Sequence, residues 1–276
     1  MRTLLKLLGC LTLATAITPA MASPINIDLL TPDSRNGVLN STYAKQYNYN
    51  EADLSLAVTG WSYGTQTTTT TTCQKYNNKG KCTNKKATTT TSVKKEIEQD
   101  YVGKWDGLGI EKTDSPNHAV DNEGGDFDMH LLSFDQLVIL TTLDLGWYQN
   151  DTDISILAFT GINFDSSSLL GKKWEDLLGY GWSLVGNYSN VIDNPVVNTD
   201  KVAAQYWLVG AYNDAFGGLT DSSASKNKGK DKGSDYYKLK GITVEKPPVV
   251  EVPEPSALLL LALGLIGLGC ARRRKV

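Results

Sequence analysis

Two threonine tracts, Thr67–Thr72 and Thr88–Thr91, constrain this chain more than any other feature. Threonine is β-branched, stiff at its first side-chain torsion, and favours strands over helix. Between the tracts runs Cys73-Gln74-Lys75-Tyr76-Asn77-Asn78-Lys79-Gly80-Lys81-Cys82, in which Asn77 to Gly80 are turn formers. Twelve of the 28 residues over 65–92 are threonine, which marks the segment as an insertion. The pattern predicts a long β-hairpin projecting from the fold, with Cys73 and Cys82 facing each other near its tip.

The rest of the middle is also strand-like. Leu54, Leu56 and Val58 alternate with Ser55, Ala57 and Thr59. The runs Leu137–Leu143, Ile154–Phe159, Val202–Tyr212 and Tyr236–Val244 are β-branched or aromatic and bounded by Gly, Asn or Asp. One stretch reads as helix: Leu170, Trp174, Leu177 and Leu178 fall at i, i+4, i+7 and i+8, with Gly179 as the cap. About ten short strands with turn-rich spacers predict an all-β domain over 23–245, a two-sheet sandwich of jelly-roll type. A second insertion, 222–234, carries Lys226, Lys228, Lys230 and Lys232 among Gly and Ser and reads as a solvated loop.

Both ends of the chain are addresses. Arg2 and Lys6 precede an apolar run from Leu7 to Ile17 and then Ala20-Met21-Ala22, the three parts of a secretory signal peptide over 1–22. Signal peptidase is expected to cut between Ala22 and Ser23. Leu7-Leu8-Gly9-Cys10 has the form of a lipoprotein box, but Lys6 stands too close before it to leave an apolar region. At the other end, a Pro-rich tether over 246–255 leads to an apolar run, 256–271, and then Arg272-Arg273-Arg274-Lys275. Sixteen residues span roughly 24 Å as a helix, which snorkelling arginines can extend across a bilayer. The basic cluster then lies on the cytoplasmic side.

Just before that run stand Pro253, Glu254 and Pro255. The segment 252–275, with its Pro-Glu-Pro signature, short apolar helix and terminal arginines, resembles the PEP-CTERM sorting tail. The resemblance implies an exosortase substrate of a Gram-negative, exopolysaccharide-producing bacterium. Such a protein is held transiently in the inner membrane, cut near Pro253–Pro255, and delivered to the cell surface or matrix. Two prolines block helix and sheet pairing, so the motif stays extended and accessible. In an oxidising exterior, Cys73 and Cys82 are expected to form a disulfide. Cys10 and Cys270 lie in the two removable ends.

Composition narrows function. Of 27 basic and 30 acidic residues, six basic ones and Glu254 lie outside 23–253, leaving 21 against 29 and a net charge of −8. An acidic domain of this kind argues against a nucleic-acid partner. The polar cluster Ser115 to Asn122, with Asp126, Asp128, Asp151 and Asp153, holds the candidate chemistry. Together with Leu132-Ser-Phe-Asp135, Gly146-Trp147 and Asp151-Thr-Asp153-Ile154-Ser155, it gives residues 100–215 a resemblance to the exosortase-dependent surface protein family, a set of exported, sorting-tail-bearing proteins without an assigned enzymatic activity.

His118 beside Asp121 lacks a nucleophile on a Gly-x-Ser-x-Gly elbow. Asp121, Glu123, Asp126 and Asp128 offer carboxylates for glycoside hydrolysis, without a spacing that selects two. His118 and His130 are too few for zinc. Calcium fits better, with Asp121, Asn122, Asp151 and Asp153 as candidate hard-oxygen ligands in loops; the same residues also suit backbone-capping Asx turns. Trp61, Trp147, Trp174, Trp182 and Trp207 are candidates for a sugar-stacking platform or for the core. The expectation is therefore a non-catalytic surface or matrix protein, with a carbohydrate-binding module or polysaccharide hydrolase as the alternative.

Overall fold

The computed structural model describes residues 23–111, 118–192, 194–219 and 234–248, with Gly264. The expected signal peptide over 1–22, most of the expected 222–234 loop, the motif Pro253–Pro255 and all of 256–271 except Gly264 lie outside the described residues. Residues Ser23–Pro247 form one unit; Met1–Ala22 with Pro248–Val276 form another. Among the described residues, no helix is long and apolar enough to cross a membrane.

Twelve strands run through the described residues: β1 (Ile25–Asp28), β2 (Ser34–Val38), β3 (Tyr43–Glu51), β4 (Leu54–Tyr76), β5 (Cys82–Lys104), β6 (Leu108–Glu111), β7 (Val120–Asp121), β8 (Met129–Asn150), β9 (Ile154–Phe159), β10 (Trp182–Tyr188), β11 (Ala204–Ala211) and β12 (Asp235–Glu245). Strand β3 pairs with β4, β4 with β8, β8 with β12, β12 with β6, β6 with β5, and β5 back with β3. This ring is a closed six-stranded antiparallel barrel. β11, β9 and β10 extend the sheet from β8, while β1 adds to β12 and β2 to β3.

The expected two-sheet sandwich is thus replaced by one continuous sheet that closes on itself. Alternation at Leu54, Leu56 and Val58 does bury one face. Alternation specifies that face, not whether it looks across at a second sheet or round at its own. Strand length makes the difference. The short run Leu137–Leu143 is the middle of a 22-residue strand, β8. Its first half lies between β4 and β11, and its second half runs along β12. Register shifts on β12 at Lys238/Leu239, Leu239/Gly241 and Thr243/Val244 supply the irregularities that bend and twist paired strands until a ring can close.

The two faces of these strands feed two clusters. Leu56, Val58, Leu132, Phe134, Val209 and Tyr237 pack in the larger one, and Trp61, Tyr63, Met129, Leu131 and Leu208 in the smaller. The smaller cluster is completed by Leu169, Trp174, Leu177 and Phe216. Here the helix expected over 170–178 is corrected. Two 3-10 segments, Ser166–Leu169 and Trp174–Tyr180, stand in its place. Gly171, at φ 71, lies between them, and Gly181 rather than Gly179 takes the left-handed cap. A three-residue period buries Trp174 and Leu177 together and leaves Leu170 and Leu178 exposed.

The threonine hairpin is present as the distal part of β4 and β5. Thr67 pairs with Thr91, Thr68 with Thr90, Thr69 with Thr89 and Thr70 with Thr88. Hydroxyls meet across it at 3.3 Å for Thr67–Thr91 and 3.2 Å for Thr69–Thr89. Asn77 closes the tip: its Oδ1 accepts from the backbone N–H groups of Lys79 and Lys81 at 3.0 and 2.9 Å. Gly80 sits at φ 72, where a Cβ would be strained. Cys73 and Cys82 form a disulfide with Cα atoms 5.8 Å apart. They are not ladder partners, because Cys73 pairs with Lys85 and Cys82 with Tyr76. Register shifts between Cys73 and Tyr76 make the bridge diagonal.

Candidate functional site

Three loops and a strand end converge on Asp235. The start of β12 brings Asp235 beside Asp151 through a parallel bridge. The backbone N–H of Asp153 donates to Asp235 Oδ1 at 2.8 Å, and Asn190 N–H donates to Asp153 Oδ1 at 2.7 Å. Asn122, just after β7, joins them: its Nδ2 donates to Asp235 Oδ2 at 2.6 Å and to the Tyr212 carbonyl at 2.9 Å. Carboxylate oxygens of Asp151, Asp153 and Asp235 lie within 4.8 Å of one another, and Asp153 and Asp235 are buried. Such a donor set is hard and suits calcium in kind. The same oxygens are engaged by backbone N–H groups, so the cluster also ties the loops at 122, 151–153 and 190 to one strand end.

The four sequence candidates for calcium therefore divide. Asn122, Asp151 and Asp153 come together around Asp235, which the sequence reading omitted. Its signal was its place at the head of the strand pattern Tyr236–Val244. Asp121 is placed otherwise. Its Oδ1 accepts the Glu123 N–H at 2.9 Å, and its own N–H donates to Asp128 Oδ2 at 3.3 Å.

Asp121, Glu123, Asp126 and Asp128 line a hollow of about 520 Å³ at the root of the ribbon, where Thr65, Thr91, Ser92 and Val93 also border it. Asp126 Oδ1 is held by the Tyr63 N–H at 2.9 Å. All four carboxylates that the sequence offered for glycoside chemistry thus share one hollow, and three of them are tied to nearby backbone groups. Neighbouring Tyr237 is fully buried, and burial with the negative charges of Asp128 and Asp235 raises its phenol well above the usual range.

The histidines and tryptophans are also placed. His130 is fully buried in β8; contact with the Gly109 backbone favours its charged form, but burial outweighs it. His118 stacks on Trp105 with centroids 4.8 Å apart. The Lys238 ammonium lies 4.8 Å from the Trp105 ring and 5.2 Å from the Trp147 ring, and burial lowers its pKa against the opposing pull of Asp106. Trp61, Trp174, Trp182 and Trp207 are buried in the two clusters, so four of the five proposed stacking residues are core. Trp105, which the sequence reading passed over, is the exposed one, 38% accessible, but its ring is already engaged by His118 and Lys238.

Residues 251–275 match the family of the PEP-CTERM protein-sorting motif. No curated protein and no solved structure matches this chain. PEP-CTERM proteins are exported and sorted to the cell surface by exosortase. The chain therefore carries, at residues 251–275, the sorting motif of the exosortase substrates.

Proposed function

We propose that residues 23–247 act as a non-catalytic component of the cell surface or exopolysaccharide matrix of a Gram-negative bacterium. Export by signal peptidase, a transient inner-membrane stage and exosortase cleavage near Pro253-Glu254-Pro255 bring the domain there. The sorting motif at 251–275 carries this reading. The resemblance of residues 100–215 to exosortase-dependent surface proteins supports it, as does a Cys73–Cys82 disulfide suited to an oxidising exterior. The Asp235 cluster serves in this reading as a structural clasp that calcium can reinforce. The test is mass spectrometry of protein released from the surface. A form beginning at Ser23 and lacking Arg272–Lys275 is expected, and Glu254→Ala retains the full-length precursor in the inner membrane. An intact Val276 at the surface replaces sorting by a permanent anchor.

A second reading has its own observation. Four carboxylates, at Asp121, Glu123, Asp126 and Asp128, line one hollow, as a polysaccharide hydrolase requires of two. Their ties to backbone groups favour the structural role. Release of reducing ends from the host's exopolysaccharide, abolished by Glu123→Gln, establishes the hydrolase instead.

A further inference from the structure

We propose that the threonine edge of β4 pairs with the same edge of a second copy of this chain, antiparallel and about a two-fold axis, joining two ribbons into one four-stranded sheet. This goes beyond the sorting reading and does not depend on it.

The edge is open. Along Leu56–Trp61, β4 is paired by β8 on one side, with β3 and then β5 on the other. Beyond Trp61 the β8 side has no ladder partner among the described residues, while β5 continues on the opposite side to Tyr76. Thr65 to Thr72 are all exposed. An edge strand turns a row of backbone N–H and C=O groups outward, which is a template for another strand. A two-stranded ribbon is marginal in water by itself, and further strands are what stabilise it.

The edge is also unguarded, and its neighbour is not. Proteins blunt open edges with lysine, proline or bulges. No charged residue and no proline stands between Asp53 and Lys75, and no glycine between Gly64 and Gly80. In β5 the uncharged run 87–93 is closed at both ends, by Lys85-Lys86 and by Lys94-Lys95. The ribbon's register shifts lie outside the β4 tract, between Tyr63 and Thr65 and between Cys73 and Tyr76. Gln66–Thr72 is thus a regular, neutral, β-branched stretch with one bare side.

The tract's own chemistry selects its occupant. Threonine against threonine is a ladder this chain already makes, at Thr67–Thr91, Thr68–Thr90, Thr69–Thr89 and Thr70–Thr88, with hydroxyls meeting at 3.3 and 3.2 Å in two of the four. Run antiparallel against itself about Thr70, the tract sets Thr68 opposite Thr72 and Thr69 opposite Thr71, the same pairing again. Charge sets the direction. Lys75, Lys79, Lys81, Lys85 and Lys86 crowd the tip, all exposed. Parallel ribbons would hold two such tips side by side, and like charges facing across a sheet destabilise it. Antiparallel ribbons send the tips to opposite ends. The contact uses one patch on both copies, so it closes as a dimer, and the lysine pairs of β5 guard the outer edges against extension.

The experiment is sedimentation velocity with amide hydrogen exchange across a concentration series. Native protein is taken in whichever form the cell yields, membrane-held or released, so a failure of the sorting reading leaves the outcome unaffected. A monomer–dimer equilibrium is expected, with protection of the Gln66–Thr72 amides rising with concentration. Dimer should persist from about 0.1 M to about 1 M salt, where the Debye length falls from about 10 to about 3 Å, because backbone bonds hold it. A variant with Thr68, Thr70 and Thr72 all changed to Lys, and one with all three changed to Glu, should each be monomeric. Mixed, they should dimerise again, since opposite charges then face each other. The three positions are exposed and outside both apolar clusters, and circular dichroism checks that the variants fold. Should either not fold, Thr70→Lys alone must weaken the dimer at least about tenfold. A monomer at every concentration overturns the proposal. So does a dimer that tolerates these substitutions or forms without protecting Gln66–Thr72.

Discussion

Asn122 and Asp235, 113 residues apart in sequence, hold each other twice: the Asp235 N–H donates to Asn122 Oδ1 at 2.8 Å, and Asn122 Nδ2 donates to Asp235 Oδ2 at 2.6 Å. The pair links the short strand β7 to the head of β12 and lies against Asp153. Bonds to a buried charge are worth about 1.5–3 kcal/mol each, and a stranded partner adds its own desolvation cost. Asn122→Ala and Asp235→Ala should each cost about 2–4 kcal/mol in urea unfolding. The double variant should lose clearly less than the sum of the two, because both remove the same bonds.

Calcium binding at Asp151, Asp153 and Asp235 is checked by calorimetry. Calcium held at about 100 times its Kd for the clasp adds about 2.7 kcal/mol and raises the melting temperature relative to chelator. Asp153→Asn should remove that increment. Equal melting in calcium and chelator leaves the cluster as a hydrogen-bonded clasp alone.

His130 predicts an acid weakness. Burial pushes its pKa from 6.5 down to about 3. Between those values the unfolded chain binds a proton that the folded protein refuses, so stability falls as pH drops below about 6.5 and this loss is complete near pH 3. The slope is at most about 1.4 kcal/mol per pH unit. His130→Leu should flatten this dependence and leave stability at neutral pH unchanged or higher, since no well-formed hydrogen bond holds the buried ring. An unaltered acid slope in chemical unfolding refutes the assignment.

The Cys73–Cys82 disulfide should act locally. Cys73→Ser with Cys82→Ser should leave the melting temperature of the body within about a degree, because the ribbon is exposed and outside both apolar clusters. Trypsin should then cut sooner at Lys75, Lys79 or Lys81. Two alkylatable thiols in unreduced native protein would show that the bridge does not form outside the cell.

The ribbon and the sorting motif were legible because each is written locally. Thr67–Thr72, Thr88–Thr91 and the Asn77–Gly80 turn contain everything needed to pair with themselves, and Pro253-Glu254-Pro255 is read by linear sequence. Barrel closure was not legible, because it depends on β8 changing partners midway, from β4 and β11 to β12. No local pattern encodes such a change. The helix pattern at Leu170–Leu178 failed for a nearer reason, as Gly171 divides it and a three-residue turn buries Trp174 with Leu177 equally well. Asp235 is hidden by separation, and Trp105 carries no local signal because His118 and Lys238 reach its ring only in the folded chain.

Strand β12 leads directly into the tether, and its neighbours determine how the domain bears mechanical load. On one edge β8 pairs with it from Asp235 to Glu245. On the other, β7, β6 and β1 follow in turn, at Tyr236–Tyr237, Leu239 and Gly241–Val244. Tension arriving through residue 247 and directed along β12 meets both ladders in shear, so their bonds must rupture together instead of one after another. A load applied at this strand is spread over both ladders, since the handle is also the stave that keeps the barrel shut.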